Sequence, residues 1–220
     1  DDLDSMIASR REFLTAYQNQ AYAGRYEALV RKVAAAEQAK LPGSDSLAKA
    51  VARYAFKLMA YKDEYEVARL HSSATFRDQL AEQFEGDYKL QFNLAPPLFS
   101  KRDPETGHLK KATFGPWMMT VFGILARFKG LRGTAFDIFG KTEERRTERA
   151  LITDYFATVE MILERLSGDN HSLAVDLASV PERIRGYGHV KERHLAEALR
   201  REGELKAAFV SAGDKKAAAE

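Results

Sequence analysis

The sequence predicts a mainly α domain with a small β element at its centre. Large apolar residues recur at three- and four-residue steps in the N-terminal and C-terminal thirds, the repeat of helices with one buried face. One short run, Tyr88 to Leu94, alternates apolar and polar residues with the period of a strand. Turn-forming residues crowd the middle: 7 of the 14 glycines and 4 of the 6 prolines lie between Gly86 and Gly140.

Each element follows from local signals. Phe13, Tyr17, Ala21, Tyr22, Tyr26, Leu29 and Val33 mark a first helical stretch, with Gly24 as the expected bend or break. Leu41-Pro42-Gly43-Ser44 is a turn, and Ser44 or Asp45 is placed to cap a helix carrying Leu47, Val51, Tyr54, Leu58, Tyr61 and Tyr65. Thr75 and Asp78 form a capping box for a segment reaching Phe84. The proline pair Pro96-Pro97 ends the strand run, because proline cannot donate to a ladder. Arg102 to Gly107 then reads as a turn able to join two strands of a hairpin. Pro116 suits the first turn of an apolar helix running to about Lys129. Ile152, Tyr155, Val159, Ile162, Leu163 and Leu166 form a further stripe ended by Gly168. Asp169 is the expected cap of a short helix to Ser179, and Pro181 to Val190 reads as a turn. Leu195, Leu199, Leu205 and Phe209 mark a last helix, and 211–220 reads as a loose tail.

Composition narrows the function classes. The chain has 220 residues, 45% of them hydrophobic, with 34 basic and 32 acidic side chains and a net charge of +2. That length supports a sizeable core, and the balanced charge argues against a nucleic-acid binder. The absence of cysteine excludes disulfides, thiolate-held iron–sulfur clusters and cysteine zinc sites within these residues. The longest uncharged stretch, Ala112 to Ala126, contains Pro116 and falls short of the roughly 20 residues that span a bilayer. The acidic start Asp1-Asp2-Leu3-Asp4 is unlike a secretory signal, so a cytoplasmic protein without a membrane partner is expected. The chain begins without Met, so a piece of something longer is expected. Basic charge is local: from Tyr88 to Lys141 there are nine basic and three acidic residues.

Catalytic motifs are sparse. Ala135 to Thr142 ends in Gly-Lys-Thr, but a phosphate-binding loop needs glycine where Ala135 stands, and Asp137 would repel a phosphate. The expected reading is a loop followed by a helix that Thr142 helps to cap. Gly186-Tyr187-Gly188 lacks the third glycine of a dinucleotide fingerprint and lies between helices. It reads as a tight turn, around which Arg185, His189 and Lys191 can grip an anion. The five histidines form no metal set: His189 and His194 are five apart, on different helix faces, and His171 has only Asp169 nearby. No Gly-x-Ser-x-Gly elbow is present. Asp63, Glu64 and Glu66 read as a solvated helix face, and the tyrosine stripes as core.

Several blocks stand out as a set, in order along the chain. They include Ala16-Tyr17-Gln18-Asn19, Tyr61 to Leu70, Phe84-Glu85-Gly86-Asp87-Tyr88-Lys89-Leu90, Leu94-Ala95-Pro96-Pro97-Leu98 and Phe114-Gly115-Pro116-Trp117-Met118. Leu131-Arg132-Gly133-Thr134-Ala135-Phe136-Asp137, Glu143-Glu144-Arg145-Arg146 and Ile184 to Lys191 complete them. Over about residues 10 to 210 the set resembles the C-terminal domain of the long, fused bacterial indolepyruvate ferredoxin oxidoreductases. The resemblance implies a parent that oxidatively decarboxylates aryl pyruvates to acyl-coenzyme A and reduces ferredoxin, using thiamine diphosphate, Mg and iron–sulfur clusters. This chain has neither the Gly-Asp-Gly motif and Asn pair that bind thiamine diphosphate nor any cysteine, so no catalytic residue carries over. The expectation is one accessory domain over 1–210, without a cofactor or metal of its own. It would pack against other domains or subunits of the parent in a homo-oligomer. The alternative is a module binding coenzyme A phosphates or ferredoxin through its basic, Gly-rich centre, with Lys129, Arg132, Arg185, His189 and Lys191 as candidates. The arginines suit bridging of helix ends inside the domain equally well.

Overall fold

The structure, a computed structural model, describes residues 2–86, 89–94, 112–186 and 188–217. Among them are nine α-helices and a two-stranded antiparallel sheet, the mainly α architecture expected. The chain divides into two compact units: Asp1–Tyr61 with Glu148–Glu220, and Lys62–Thr147.

The first unit is helical throughout. Helix α1 (Leu3–Tyr17) starts where Asp2 accepts the Ser5 backbone N–H. Helix α2 (Gln20–Lys40) starts where Asn19 accepts that of Tyr22. The break in the first helical stretch therefore falls at Gln18-Asn19, because the Asn19 side chain satisfies an N-terminal donor there. Gly24, the expected break, lies inside α2, where its lack of a side chain costs some stability without ending the helix. Helix α3 (Ser46–Met59) has no side-chain cap from Ser44 or Asp45. Its cap is Glu37 of α2, which is fully buried and accepts the N–H groups of Leu47 and Ala48 at 2.9 and 2.8 Å.

Tyrosines tie these helices together. Tyr17, Tyr22 and Tyr26 donate their hydroxyls to the carbonyls of Tyr61, Met59 and Ala52. The stripe thus buries its rings while each polar tip meets a backbone acceptor. Helices α7 (Glu143–Arg165), α8 (His171–Ala178) and α9 (Gly188–Ala217) complete the core with Ile152, Tyr155, Val159, Ile162, Leu177, Ala198, Leu205 and Phe209. Asn170, not Asp169, holds the α7–α8 corner: it accepts the Ser167 N–H and donates to the Arg165 carbonyl. The expected turn over 181–190 is a 3₁₀ turn, Val180–Arg183, followed by the start of α9, which places His189 and Lys191 on that helix. Helix α9 reaches Ala217, inside the stretch read as a tail.

The second unit holds α4 (Glu64–Ser72), α5 (Ala74–Gln83), β1 (Phe92–Leu94), β2 (Ala112–Phe114) and α6 (Met118–Arg127), then a 3₁₀ turn, Phe128–Leu131. Tyr61 and Tyr65 do not share a helix with Leu58: the chain leaves α3 at Met59 and restarts at α4 because Asp63 caps it, accepting the Glu66 N–H at 2.8 Å. Ser73, not Thr75, caps α5. Strand β1 is shorter than the alternating run, and the expected hairpin turn at 102–107 lies outside the described residues. β1 and β2 pair with Phe92 opposite Phe114. Helix α6 packs on α4 and buries Met118 and Phe122 with Ala68 and Phe92. Among the described residues no helix is long and apolar enough to cross a membrane.

Candidate functional site

The polar residues of the second unit converge where α4 begins. Asp63 sits at the α4 N-terminus because its carboxylate satisfies an orphan N–H there. Arg132, just after the 3₁₀ turn, donates to both oxygens of the same carboxylate from one edge of its guanidinium, Nε to Oδ2 at 2.5 Å and a terminal nitrogen to Oδ1 at 2.9 Å. Both side chains are under 5% exposed. The guanidinium also lies over the Tyr65 ring, 5.7 Å from its centroid.

Tyr65 links this pair to a second carboxylate. Its hydroxyl donates to Asp137 Oδ1 at 3.3 Å, and Asp137 also accepts the N–H groups of Gly133 at 2.8 Å and Gly140 at 2.9 Å. Gly133 has φ of +76°, a conformation open to glycine at little cost, and its N–H meets Asp137 from there. The aspartate of the loop that resembles a phosphate cradle is thus held by the N–H of Gly140 within it and of Gly133 just before it. Burial raises the Tyr65 phenol far above its ordinary range, and the Asp137 charge and hydrogen bond push it further. Beyond the loop, Thr142 accepts the Arg145 N–H and opens α7 as expected.

Glu66, Arg69, Glu64 and Arg145 of this unit are also engaged. Glu66 is 3% exposed and takes a two-point contact from Arg69, at 2.7 and 2.8 Å. Glu64 meets Arg145 at 3.3 Å. Burial of Asp63 and Glu66 corrects the reading of a solvated acidic face. Lys129 is half-buried; its ammonium is pushed below the ordinary lysine range by burial and by the charges of Arg69 and Arg132, with Glu66 opposing.

Lys129 and Arg132 therefore share the second unit, whereas Arg185, His189 and Lys191 belong to the first. Exposed Arg185 meets Glu182 at 3.2 Å, and its carbonyl accepts from His194 Nδ1. Lys191 meets buried Glu148 at 2.6 Å, and His189 is exposed on α9. His171 meets Glu37 at 2.7 Å rather than Asp169. Among the described residues no three His, Cys, Asp or Glu side chains are grouped to hold a metal. The first unit also has a small apolar cleft lined by Leu58, Tyr155, Leu177, Val180 and Leu199. At its edge Thr158 donates to Glu202.

The buried acids could be found in the sequence only in part. Asp63 before a helical run is a legible cap signal. Its pairing with Arg132, 69 residues on, leaves no local trace.

These features define a helical domain whose charged side chains close on one another around helix ends. The chain belongs to a family described as a family of unknown function (DUF6537), whose profile matches residues 3–204. No curated protein and no solved structure matches it.

Proposed function

We propose that this chain is the C-terminal accessory and assembly domain of a cytoplasmic indolepyruvate ferredoxin oxidoreductase. Thiamine diphosphate, Mg and iron–sulfur clusters then lie elsewhere in the parent. The ordered blocks from Ala16 to Lys191 support the parent. The accessory role is supported by one observation: several charged residues of those blocks serve internal structure. Asp63 and Arg132 join a helix start to a loop, Glu64 meets Arg145, and Asp137 ties its own loop. Side chains held in this way position elements rather than move protons or electrons.

An immunoblot of a cell extract tests the parent. A band far above 24.7 kDa is the expected outcome. A band near that mass overturns the reading.

A second reading, binding of coenzyme A phosphates or an acidic ferredoxin surface, is favoured by Lys129. Burial first, and then the Arg69 and Arg132 guanidinium groups, disfavour its ammonium against the pull of Glu66, and a bound anion would favour the charged form. On this reading Lys129→Ala in the parent raises KM for coenzyme A or ferredoxin at unchanged kcat. Unchanged KM for both leaves the assembly reading alone.

A further inference from the structure

Helix α6 is apolar on two faces. Met118 and Phe122 are buried on the α4 side, 7% and 5% exposed. On the other side Trp117, Val121, Ile124 and Phe128 are 58%, 40%, 53% and 51% exposed. At about 100° per residue these four fall within an arc of about 60°. They form a stripe about 16 Å long at 1.5 Å per residue. Trp117 has a defined place at one end, packed edge-on against Phe114 with ring centroids 6.0 Å apart. A helix apolar all round is ordinarily covered on every side. This one is not covered within the described chain.

The order of the stripe reads the same in both directions. The spacings are four, three and four, with the large aromatics Trp117 and Phe128 at the ends and the aliphatics Val121 and Ile124 inside. A twofold axis between Val121 and Ile124 would set Trp117 against Phe128 of a second copy and Val121 against Ile124. A twofold interface requires this kind of self-complementary patch. Charge permits it as well. No charged residue lies between Ala112 and Ala126, and Arg127 would fall opposite Met118, so like charges do not meet.

We propose that the outward face of α6 is the contact through which two copies of this chain associate in antiparallel fashion. The inference rests on the assembly reading above and names its partner as a second copy. The four side chains offer on the order of 400 Å² of apolar surface per copy. A standard interface buries about 800 Å² per partner, so the contact alone makes a weak dimer.

The single tryptophan of the chain stands on the stripe and reports its burial. The test is sedimentation velocity of the 220-residue chain from about 5 to about 500 μM, with Trp117 emission followed over the same series. Expected are a mass rising from 24.7 kDa toward twice that value and a blue shift with the same concentration dependence. Ile124→Arg and Val121→Arg, both at exposed positions, should each weaken association at least tenfold, as about 1.4 kcal/mol or more at a central contact implies. Leu199→Arg, exposed in the other unit, should leave it unchanged. A monomer at every concentration overturns the inference, as does association that survives both stripe variants or leaves the emission unmoved. A blue shift only with anionic lipid vesicles would also overturn it, assigning the stripe to a membrane surface. None of these results bears on the mass of the endogenous polypeptide, so the two readings fail separately.

Discussion

Glu37 shows how much one buried side chain can organise. It lies on α2 with no exposed surface, yet it receives the N–H groups of Leu47 and Ala48, the Ser44 hydroxyl and the His171 ring. Burial alone would raise its carboxyl, but these donors outweigh it and hold it below the ordinary value of 4.5. A carboxylate lowered in the folded state stabilises above the unfolded value, and that contribution is lost as pH falls through the folded one. Glu37→Gln should therefore lower stability at neutral pH by about 2 kcal/mol, since two backbone donors lose a charged acceptor. The gap to the native protein should close as pH drops below 4.5. Denaturant melts of both proteins at pH 7 and in mild acid check this, and a gap independent of pH would contradict it. Arg132 and Asp63 make the same point in the second unit. Arg132→Met strands a buried carboxylate and should cost about 3 kcal/mol or more in a denaturant melt.

Elements begin and end where a side chain supplies what the backbone lacks. Asn19, Asp63 and Ser73 each sit just before a helix and accept a backbone N–H from its first turn. Their effect exceeds that of Gly24, which periodicity alone makes the obvious break. Inside α2 a side chain added at Gly24 would meet nothing within 4 Å. Gly24→Ala should then stabilise the protein by about 0.5–1 kcal/mol, because alanine loses less backbone freedom on folding. A thermal melt checks it, and destabilisation would mean that the helix bends at this point. Gly186 behaves differently. Its φ is +90° and an added Cβ would lie 2.8 Å from Val190 Cγ1, so alanine there strains the start of α9.

At the scale of the molecule, buried phenols limit alkaline stability. Burial raises Tyr26 in the first unit, Tyr65 in the second, and Tyr155, which is raised well above 10. A tyrosine raised in the folded state contributes stability that is complete below its unfolded value of 10.0 and is lost as pH rises through the folded one. Stability should accordingly fall above pH 10, and Tyr26→Phe should reduce that slope. Melts between pH 9 and 11 measure it, and an unchanged slope in the variant would refute the assignment to Tyr26.

Helix content and a small central β element were legible from the residues themselves, because periodicity, proline and glycine act on neighbours within about four positions; of the expected caps only Thr142 stands where it was placed. The exchange of Asp169 for Asn170 as the corner residue, and of Thr75 for Ser73, are slips of one or two positions among residues of the same capping chemistry. The candidate site was less legible. Lys129, Arg132, Arg185, His189 and Lys191 share a basic, glycine-flanked setting in the sequence. The fold assigns them to two units and gives Arg132 to Asp63 and Lys191 to Glu148. For Arg132 and Lys191 the opposite charge lies 69 and 43 residues away. Only the tertiary structure brings such residues within hydrogen-bonding distance, because the desolvation that makes an unpaired buried charge intolerable exists only once the chain has packed.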